Sequence, residues 1–371
     1  MVKTVGIVSY NINCNFTNYG SALQSWALSS WIERLGCNPV LVDYCPIAHL
    51  DSNPLNPFKN MWDKDEESRH VCELTMPAIR ENFAKFEQFY SERFNLTPRK
   101  YTAETFDEIV QDCHLDGFVC GSDTIFCIDE FKGFEEAYYA NCGCMRGRSV
   151  AYAASFGDSH FKSEDYALLN ERLKNFKAIA LRENQWVSYC KEHAKAPVEK
   201  VLDPTLLLKL EDYERIAARG NPMSQPYLLL YARRYNEEME RYAIRLAKER
   251  GLKIVEISLR ATNTERGHVM RYDAGVEEFL SLVRHAECVI TNSFHGLIFA
   301  VHYSRPFVVF SREQAGSKIV EVLNLFGAGD KLFESAEDAH VTEINYGDVN
   351  RRLDCERQKS LDFLKMELRM L

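Results

Sequence analysis

The chain has 371 residues, more than one hydrophobic core comfortably holds, so its length predicts two domains. Its apolar content of 46% and charged content of 27% are typical of an ordinary soluble globular protein and exclude a disordered one. The formal net charge of −9 argues against a dedicated nucleic-acid-binding protein, which would be basic overall or carry a basic stripe.

Strand and helix patterns alternate along the N-terminal half, as is typical of parallel α/β sheets. A strand at 4–9 leads through an Asn-rich loop to a helix from about Ser21 to Leu35, which Gly36 should end. Further strands are expected at 39–43, 115–120, 149–154, 178–181 and 198–201. An insertion near 50–110, with a helix at 76–92, interrupts them. We favour a plain elaboration of the fold there over a lid or a partner surface.

A second set of alternating elements follows a break at Gly220-Asn-Pro222 and Pro226. Its strands are expected at 227–231, 253–257, 288–291 and 307–310, and its helices at about 236–250, 275–286, 295–303 and 315–326. The patterns therefore predict an N-terminal Rossmann-like lobe over 1–215 and a C-terminal one over 216–352, with a cleft between them. The last helix, 353–371, should pack back on the N-terminal lobe, although its Lys and Arg residues would also suit peripheral contact with an anionic membrane.

The spacing of the cysteines indicates a reducing compartment. Most of the 12 cysteines stand alone in apolar surroundings, and Cys142-Gly-Cys144 is the one close pair, so we expect reduced thiols and no metal site. No apolar run is long enough to span a membrane, and no secretory leader is readable at the N-terminus. We expect a cytoplasmic protein, placed at the inner face of the membrane if its partners are there.

Polar side chains follow several predicted strands at their carboxyl ends, where open α/β sheets bind ligands. In the first predicted lobe these are Ser122, Asp123 and Arg182, and in the second they are His295 and Arg312. One Asp, two Arg and one His suit an anionic small substrate and acid–base chemistry. Taken singly, each could instead be a helix cap or a member of a structural ion pair.

Several common nucleotide and hydrolase motifs are missing from the sequence. The first strand is not followed by G-x-G-x-x-G, which removes the main support for dinucleotide binding. There is also no P-loop, no G-x-S-x-G elbow and no H-E-x-x-H.

An ordered set of short motifs resembles the polysaccharide pyruvyl transferase family. The set comprises Asn18-Tyr-Gly-Ser-Ala-Leu-Gln-Ser-Trp-Ala-Leu28, Asp116-Gly-Phe-Val-Cys-Gly-Ser-Asp123, Tyr152-Ala-Ala-Ser-Phe-Gly157, Leu181-Arg-Glu183, Val201-Leu-Asp-Pro-Thr205, Asn292-Ser-Phe-His-Gly296 and Arg305-Pro-Phe-Val308. The resemblance implies a two-lobed fold of the GT-B type, with phosphoenolpyruvate as donor and a pair of sugar hydroxyls as acceptor. The product would be a cyclic pyruvate ketal, formed with release of phosphate and without a redox cofactor.

Within that chemistry, three residues are expected to be catalytic. His295 is the predicted general acid, because histidine side chains exchange protons near neutral pH. Asp123 would take the proton of the acceptor hydroxyl or orient that hydroxyl. Arg182 would bind the carboxylate or the phosphate of phosphoenolpyruvate bidentately.

Seven further residues are expected to contact substrate: Asn18, Gly20, Gln24, Ser122, Ser293, Gly296 and Arg312. Some family members are similar in carrying an Arg two residues before the motif histidine. That position is Ser293 here, so an anion contact would have to come from Arg312 or Arg233. For the early loop around Asn18, the alternative is an Asn-rich turn that satisfies its own backbone.

The sequence leaves open the role of the connection from Leu259 to Asp273 and the identity of the acceptor. With Arg260, Arg266, His268 and Arg271 the connection could bind a nucleotide or a diphosphate-linked acceptor, or be a solvated loop. The acceptor could be a lipid-linked oligosaccharide, and a homo-oligomer is compatible with the sequence. Two other functions stay open: a nucleotide-sugar glycosyltransferase of the same fold, and a non-catalytic scaffold in polysaccharide assembly.

Overall fold

A computed structural model describes residues 2–14, 16–56, 66–312 and 316–371, except the side chains at 67 and 68. The chain divides into two compact units. The first unit comprises Met1–Ser52, Tyr90–Leu208 and Asp354–Leu371, and the second comprises Asn53–Phe89 and Lys209–Leu353.

The first unit is built on a six-stranded parallel sheet in the order β2-β1-β3-β4-β5-β6. The strands are β1 (Thr4–Val8), β2 (Asn38–Leu41), β3 (Gly117–Cys120), β4 (Ser149–Ala154), β5 (Phe176–Leu181) and β6 (Val198–Lys200). The helices that begin along this part of the chain are α1 (Tyr19–Arg34), α2 (Glu66–Arg93), α3 (Ile109–Asp112), α4 (Ile128–Phe131), α5 (Asp165–Leu173) and α6 (Val187–His193). β3 and β4 are buried along their whole length, which explains their continuous apolar runs.

Local sequence signals fix the ends of α1. The Asn18 side chain accepts hydrogen bonds from the backbone N–H groups of Gly20 and Ser21, which caps the first turn. Gly36 has φ +85°, a left-handed conformation that suits glycine and ends the helix as predicted.

The second unit repeats the plan with a six-stranded parallel sheet in the order β12-β11-β10-β7-β8-β9. The strands are β7 (Tyr227–Tyr231), β8 (Lys253–Ile257), β9 (Val269–Met270), β10 (Cys288–Thr291), β11 (Phe307–Phe310) and β12 (Leu332–Phe333). The helices that begin along this part of the chain are α7 (Leu210–Glu214), α8 (Glu237–Arg250), α9 (Val276–His285), α10 (Phe294–His302), α11 (Gly316–Phe326) and α12 (Tyr346–Met370). The predicted α/β class with two parallel sheets is confirmed.

The predicted insertion is divided between the units. Residues 53–89 group with the second unit because α2 contacts the segment before α9: Asn82 donates a 2.5 Å hydrogen bond to the carbonyl of Ala274, and the Lys85 ammonium lies 2.9 Å from the Glu278 carboxylate. The part of the insertion at 57–65 lies outside the described residues, as does residue 315 at the start of a predicted helix.

The C-terminal residues of α12 pack on the first unit. Residues 354–371 belong to that unit, with Leu364 and Leu368 buried in it. Among the described residues, no helix has the length and apolar character needed to cross a membrane. All twelve cysteines are free thiols.

Candidate functional site

In the first unit, the carboxyl ends of β1, β3, β4 and β5 lie side by side and carry the predicted polar residues. Asp123 follows β3 and has φ +77°, a left-handed conformation that Asp tolerates better than most residues. Its Oδ2 accepts a 2.6 Å hydrogen bond from the Ser21 hydroxyl, and its Oδ1 accepts one of 2.8 Å from the backbone N–H of Thr124. The carboxylate is therefore held in one orientation, with the residue 8% exposed.

Arg182 is surrounded by carboxylates. Its Nε donates to Glu183 at 2.9 Å, its Nη1 donates to Asp203 at 3.0 Å, and its Nη2 lies 3.9 Å from Asp123. Burial acts to lower the pKa of Arg182, but the charges of Glu183, Asp203 and Asp123 outweigh it and raise that pKa. Ser21, Asp123, Arg182, Glu183 and Asp203 are called the Asp123 cluster below.

The Asp123 cluster gives Arg182 a structural role, and its contact with phosphoenolpyruvate stays a prediction. Three carboxylates already surround the one guanidinium, so a bound phosphate would have to compete with them for it. A bidentate contact to phosphoenolpyruvate would also require breaking existing ion pairs. Arg182 is instead placed to hold Asp123, Glu183 and Asp203 together, and its removal would leave buried charges uncompensated.

Several predicted substrate contacts of the first unit have structural partners. The Gln24 amide donates to the Ser9 and Ser25 hydroxyls at 2.8 Å and accepts from the backbone N–H of Ser122 at 3.1 Å. The Ser122 hydroxyl donates to the carbonyl of Ala153. Both side chains are fully buried. They join the ends of β1, β3 and β4 to α1, and so place Asp123 rather than face solvent.

The start of α1 likewise serves the fold. Asn18 caps the helix with Gly20 as one of its donors, so the structural alternative raised for this loop describes it. Whether Asn18 or Gly20 also contacts substrate stays a prediction.

Two tyrosines near Asp123 were not predicted. Burial raises the pKa of Tyr10 and Tyr90 well above the usual range, and in both the charge of Asp123 adds to that effect. Their phenol groups are therefore within electrostatic reach of the carboxylate. Tyr10 lies in the Asn-rich loop after β1. An aromatic residue in that loop was the sequence signal from which it could have been found.

In the second unit, the turn between β10 and α10 places the histidine motif. Ser293 caps α10 by accepting from the backbone N–H of Gly296 at 3.2 Å, and its own N–H donates to the Thr291 hydroxyl at 3.0 Å. His295 lies in the first turn, buried, with its ring edge-on to Phe294. The helix N-terminus directs N–H groups and a partial positive charge to this point, which favours an anion.

Two arginines follow β7 and β11, the strands on either side of β10. Burial raises the pKa of Tyr231 at the end of β7, and the charges of Arg233 and Arg312 together with a hydrogen bond to Ser293 act to lower it. Arg233, Ser293 and Arg312 are therefore each within electrostatic reach of this phenol. Tyr231, Arg233, Ser293, His295 and Arg312 are called the α10 edge below.

The loop that carries Arg233 is fixed by Asn292, which the sequence analysis did not single out as a site residue. The Asn292 side chain accepts from the backbone N–H of Arg233 at 2.9 Å and donates to the carbonyl of Arg234 at 2.7 Å. Asn236 ties the same loop to β11 by donating to the carbonyl of Ser311. Gly296 is required for close packing, since a Cβ there would lie 2.5 Å from the Thr291 hydroxyl.

The connection from Leu259 to Asp273 pairs most of its basic groups with acidic ones. Arg266 forms an ion pair with Glu240 and Arg271 with Asp273, and the His268 ring forms a hydrogen bond with Glu256. The Arg260 guanidinium stacks 3.8 Å from the centroid of the half-exposed Tyr235 ring. Nucleotide binding by this connection stays a prediction.

Comparison with known protein families shows which family the chain belongs to. The model of the polysaccharide pyruvyl transferase family matches residues 18–314, which is most of the chain. The chain belongs to the polysaccharide pyruvyl transferase family. Comparison with curated proteins gives no significant match in sequence.

Solved structures share the fold of this polysaccharide pyruvyl transferase family member at low identity. A UDP-GlcNAc 2-epimerase from Methanocaldococcus jannaschii, in complex with UDP-GlcNAc and UDP, is 14% identical with a TM-score of 0.53, covering 99% of each chain. Staphylococcus aureus MnaA, in a co-structure with UDP, is 13% identical with a TM-score of 0.50, covering 95% of this chain and 87% of that one. The trehalose-6-phosphate phosphatase N-terminal domain of Candida albicans is 9% identical with a TM-score of 0.54, covering all of this chain and 97% of that one. At these identities the likeness establishes the two-lobed GT-B-like fold alone.

In this family member, the predicted site residues therefore form two groups, one in each unit. The first is negatively charged around Asp123, and the second presents Arg233, Arg312 and a helix N-terminus around His295. That the two groups act on one substrate pair stays a prediction. Among the described residues, no cluster of three or more His, Cys, Asp or Glu side chains could hold a metal ion.

Proposed function

We propose that this protein transfers a pyruvyl group from phosphoenolpyruvate to two hydroxyls of a sugar in a surface polysaccharide unit. Family membership supports pyruvyl transfer. The observation that carries the donor assignment is the α10 edge, where two arginines adjoin a helix N-terminus and a histidine.

The donor fits the α10 edge because phosphoenolpyruvate has two anionic groups. Arg233 and Arg312 can each bind a carboxylate or a phosphate, and the first turn of α10 favours the other anion. Ser293 replaces the Arg that some family members carry, and these two arginines supply the charge instead. His295, in that first turn, would deliver the proton that the donor needs.

The acceptor fits the Asp123 cluster because that cluster can take a proton but repels an anion. Ser21 and Thr124 orient the Asp123 carboxylate, and Arg182 lies beside it. A neutral sugar hydroxyl can approach such a carboxylate at little electrostatic cost. The charge difference between the α10 edge and the Asp123 cluster therefore separates the donor from the acceptor.

The proposed transfer balances without oxidation or reduction, so it needs no redox cofactor. One acceptor hydroxyl adds to C2 of phosphoenolpyruvate, losing its proton to Asp123, while His295 protonates C3 to form the methyl group. The second hydroxyl then attacks C2 and gives its proton to His295, while the bond between C2 and the phosphate oxygen breaks and the proton held by Asp123 leaves with the phosphate. The products are one cyclic ketal and one inorganic phosphate.

The setting of the reaction is part of the same proposal. We propose a sugar unit under assembly as acceptor, lipid-linked where the polysaccharide is built on a lipid carrier, at the cytoplasmic face of the membrane. No nucleic acid is involved.

The test is release of inorganic phosphate from phosphoenolpyruvate, measured with a panel of mono- and oligosaccharide acceptors. We expect release that depends on both the protein and one class of sugar. Consumption of a UDP- or CDP-sugar with no phosphate release from phosphoenolpyruvate would replace the proposal with glycosyl transfer. Binding of neither donor would indicate a non-catalytic scaffold.

A further inference from the structure

Glu367 is a carboxyl group on the apolar face of α12. It lies one turn beyond Leu364 and next to Leu368, both of which are buried in the first unit. Its exposed fraction is 0%, and neither carboxyl oxygen has a hydrogen-bond partner. A hydrophobic residue of similar size would be more stable there, so stability does not explain this glutamate.

The groups around Glu367 do not neutralise a negative charge. The Lys3 ammonium binds the carbonyls of Leu368 and Arg369, and Lys177 from β5 binds the carbonyl of Met370. The lysines therefore hold the C-terminal backbone of α12 and complement its dipole. Burial without a partner raises the pKa of Glu367 well above its usual range, which favours the protonated carboxyl in the docked helix.

Tyr152 of β4 faces both Glu367 and the Asp123 cluster. Burial raises the pKa of its phenol, and the charges of Glu367 and Asp203 add to that effect. A hydrogen bond with the Ser360 side chain of α12 acts in the opposite direction. A charged Glu367 would therefore add a negative charge beside a buried phenol that is already within electrostatic reach of the Asp203 carboxylate.

α12 also holds the loop that carries Asp203. The Ser360 hydroxyl accepts from the backbone N–H of Leu202 at 2.9 Å, and Arg357 donates to the carbonyl of Leu206 at 2.8 Å. Asp203 lies between these two attachments and pairs with Arg182. A continuous path of contacts thus connects α12 to Asp123.

We propose that the C-terminal end of α12 is a proton-controlled strap, which stays docked while Glu367 is protonated and loosens when it ionises, releasing support from the Asp203 loop. Docking and its pH dependence stand apart from the proposed function. The effect on turnover rests on that function.

The sign of the pH dependence follows from proton linkage. A released Glu367 would ionise near the ordinary value of about 4.3, whereas the docked one keeps its proton to higher pH. Docking is therefore complete below about 4.3 and weakens as pH rises above it. Between the pKa of the released Glu367 and that of the docked Glu367, the equilibrium constant for release should rise about tenfold per pH unit.

The test is hydrogen exchange of the backbone amides in 360–370, expressed as protection factors relative to intrinsic exchange, from pH 5.5 to 7.5. We expect protection in the wild type to fall with pH by up to about tenfold per unit, and Glu367→Gln to remove that trend. Asp362→Asn, at an exposed position of the same helix, is the matched control and should keep it. Protection that is independent of pH, or equally dependent in Glu367→Gln, would overturn the strap.

Glu367→Met is a second variant, included because Glu367→Gln buries an amide whose own hydrogen-bonding groups lack partners. The methionine variant should keep full protection at pH 7.5 and melt at a higher temperature than the wild type. A lower melting temperature would show that the carboxylate has a stabilising partner, such as a bound ion, and would contradict the proposal. Exchange reports docking without any substrate, so a protein that fails to turn over phosphoenolpyruvate can still support the strap.

Discussion

Asp123 combines a left-handed backbone conformation with a carboxylate held by Ser21 and Thr124. Asn tolerates the same conformation, so Asp123→Asn removes the charge and keeps the local backbone. We expect phosphate release to fall about 10²–10⁴-fold, the range for loss of a general base.

Ser21→Ala is the companion variant, because it leaves the carboxylate and removes only its orienting hydroxyl. Its rate should fall less than that of Asp123→Asn, by about ten- to a hundredfold, as for a hydrogen bond to a charged group. An Asp123→Asn protein with wild-type turnover would remove Asp123 from the mechanism.

His295 lies in the first turn of α10, whose capping residue Ser293 acts on the same phenol as Arg233 and Arg312. We expect His295→Ala to lower phosphate release by about 10²–10⁴-fold while phosphoenolpyruvate still binds, since the arginines remain. Rate and binding are measured separately, by phosphate release and by calorimetric titration. His114→Ala, at an exposed histidine, is the control and should behave as the wild type.

At the scale of elements, the contact of α10 with β7 and β10 depends on Gly296. A Cβ would approach the Thr291 hydroxyl to 2.5 Å and Cδ1 of Tyr231 to 2.9 Å. Thr291 cannot yield easily, because its hydroxyl donates to the carbonyl of Tyr231 and accepts from the N–H of Ser293. We expect Gly296→Ala to lower the free energy of unfolding by about 1–3 kcal/mol.

Chemical denaturation measures that loss, with Gly316→Ala as the matched control. Gly316 is the first residue of α11, and a Cβ there would meet no atom within 4 Å. The control should therefore be neutral or slightly stabilising. Equal stability of the two variants would show that α10 can move away from the sheet without cost.

For the whole molecule, the repetitive part of the fold was predictable from sequence. Strands at 149–154, 227–231, 253–257, 288–291 and 307–310 lie where their apolar runs predict. β9 and β12 were missed because two residues are too few for a periodic signal. α12 begins at Tyr346, whereas the predicted last helix begins at 353. Its start was missed because the first turns are mostly polar and lack the leucine spacing.

The sequence predicted which types of residue form the site, but not which hydrogen bonds and ion pairs those residues make. Strand ends indicated Asp123, Arg182 and His295, yet a sequence cannot show that Gln24 is buried with all its hydrogen bonds made. Nor can it show that Arg182 is shared among three carboxylates, since its partner Asp203 follows a different strand. These contacts depend on sheet order, which spacing along the chain does not determine.

Phosphoenolpyruvate binding at the α10 edge is the central claim, and thermal unfolding with and without this donor tests it most directly. At 100 times its dissociation constant, a ligand specific for the folded state adds about 2.7 kcal/mol of stability. We predict that phosphoenolpyruvate raises the unfolding midpoint, and that Arg312→Ala with Arg233→Ala abolishes the rise while Arg234→Ala keeps it. A midpoint raised by UDP- or CDP-sugars alone, with no response to phosphoenolpyruvate, would contradict the account.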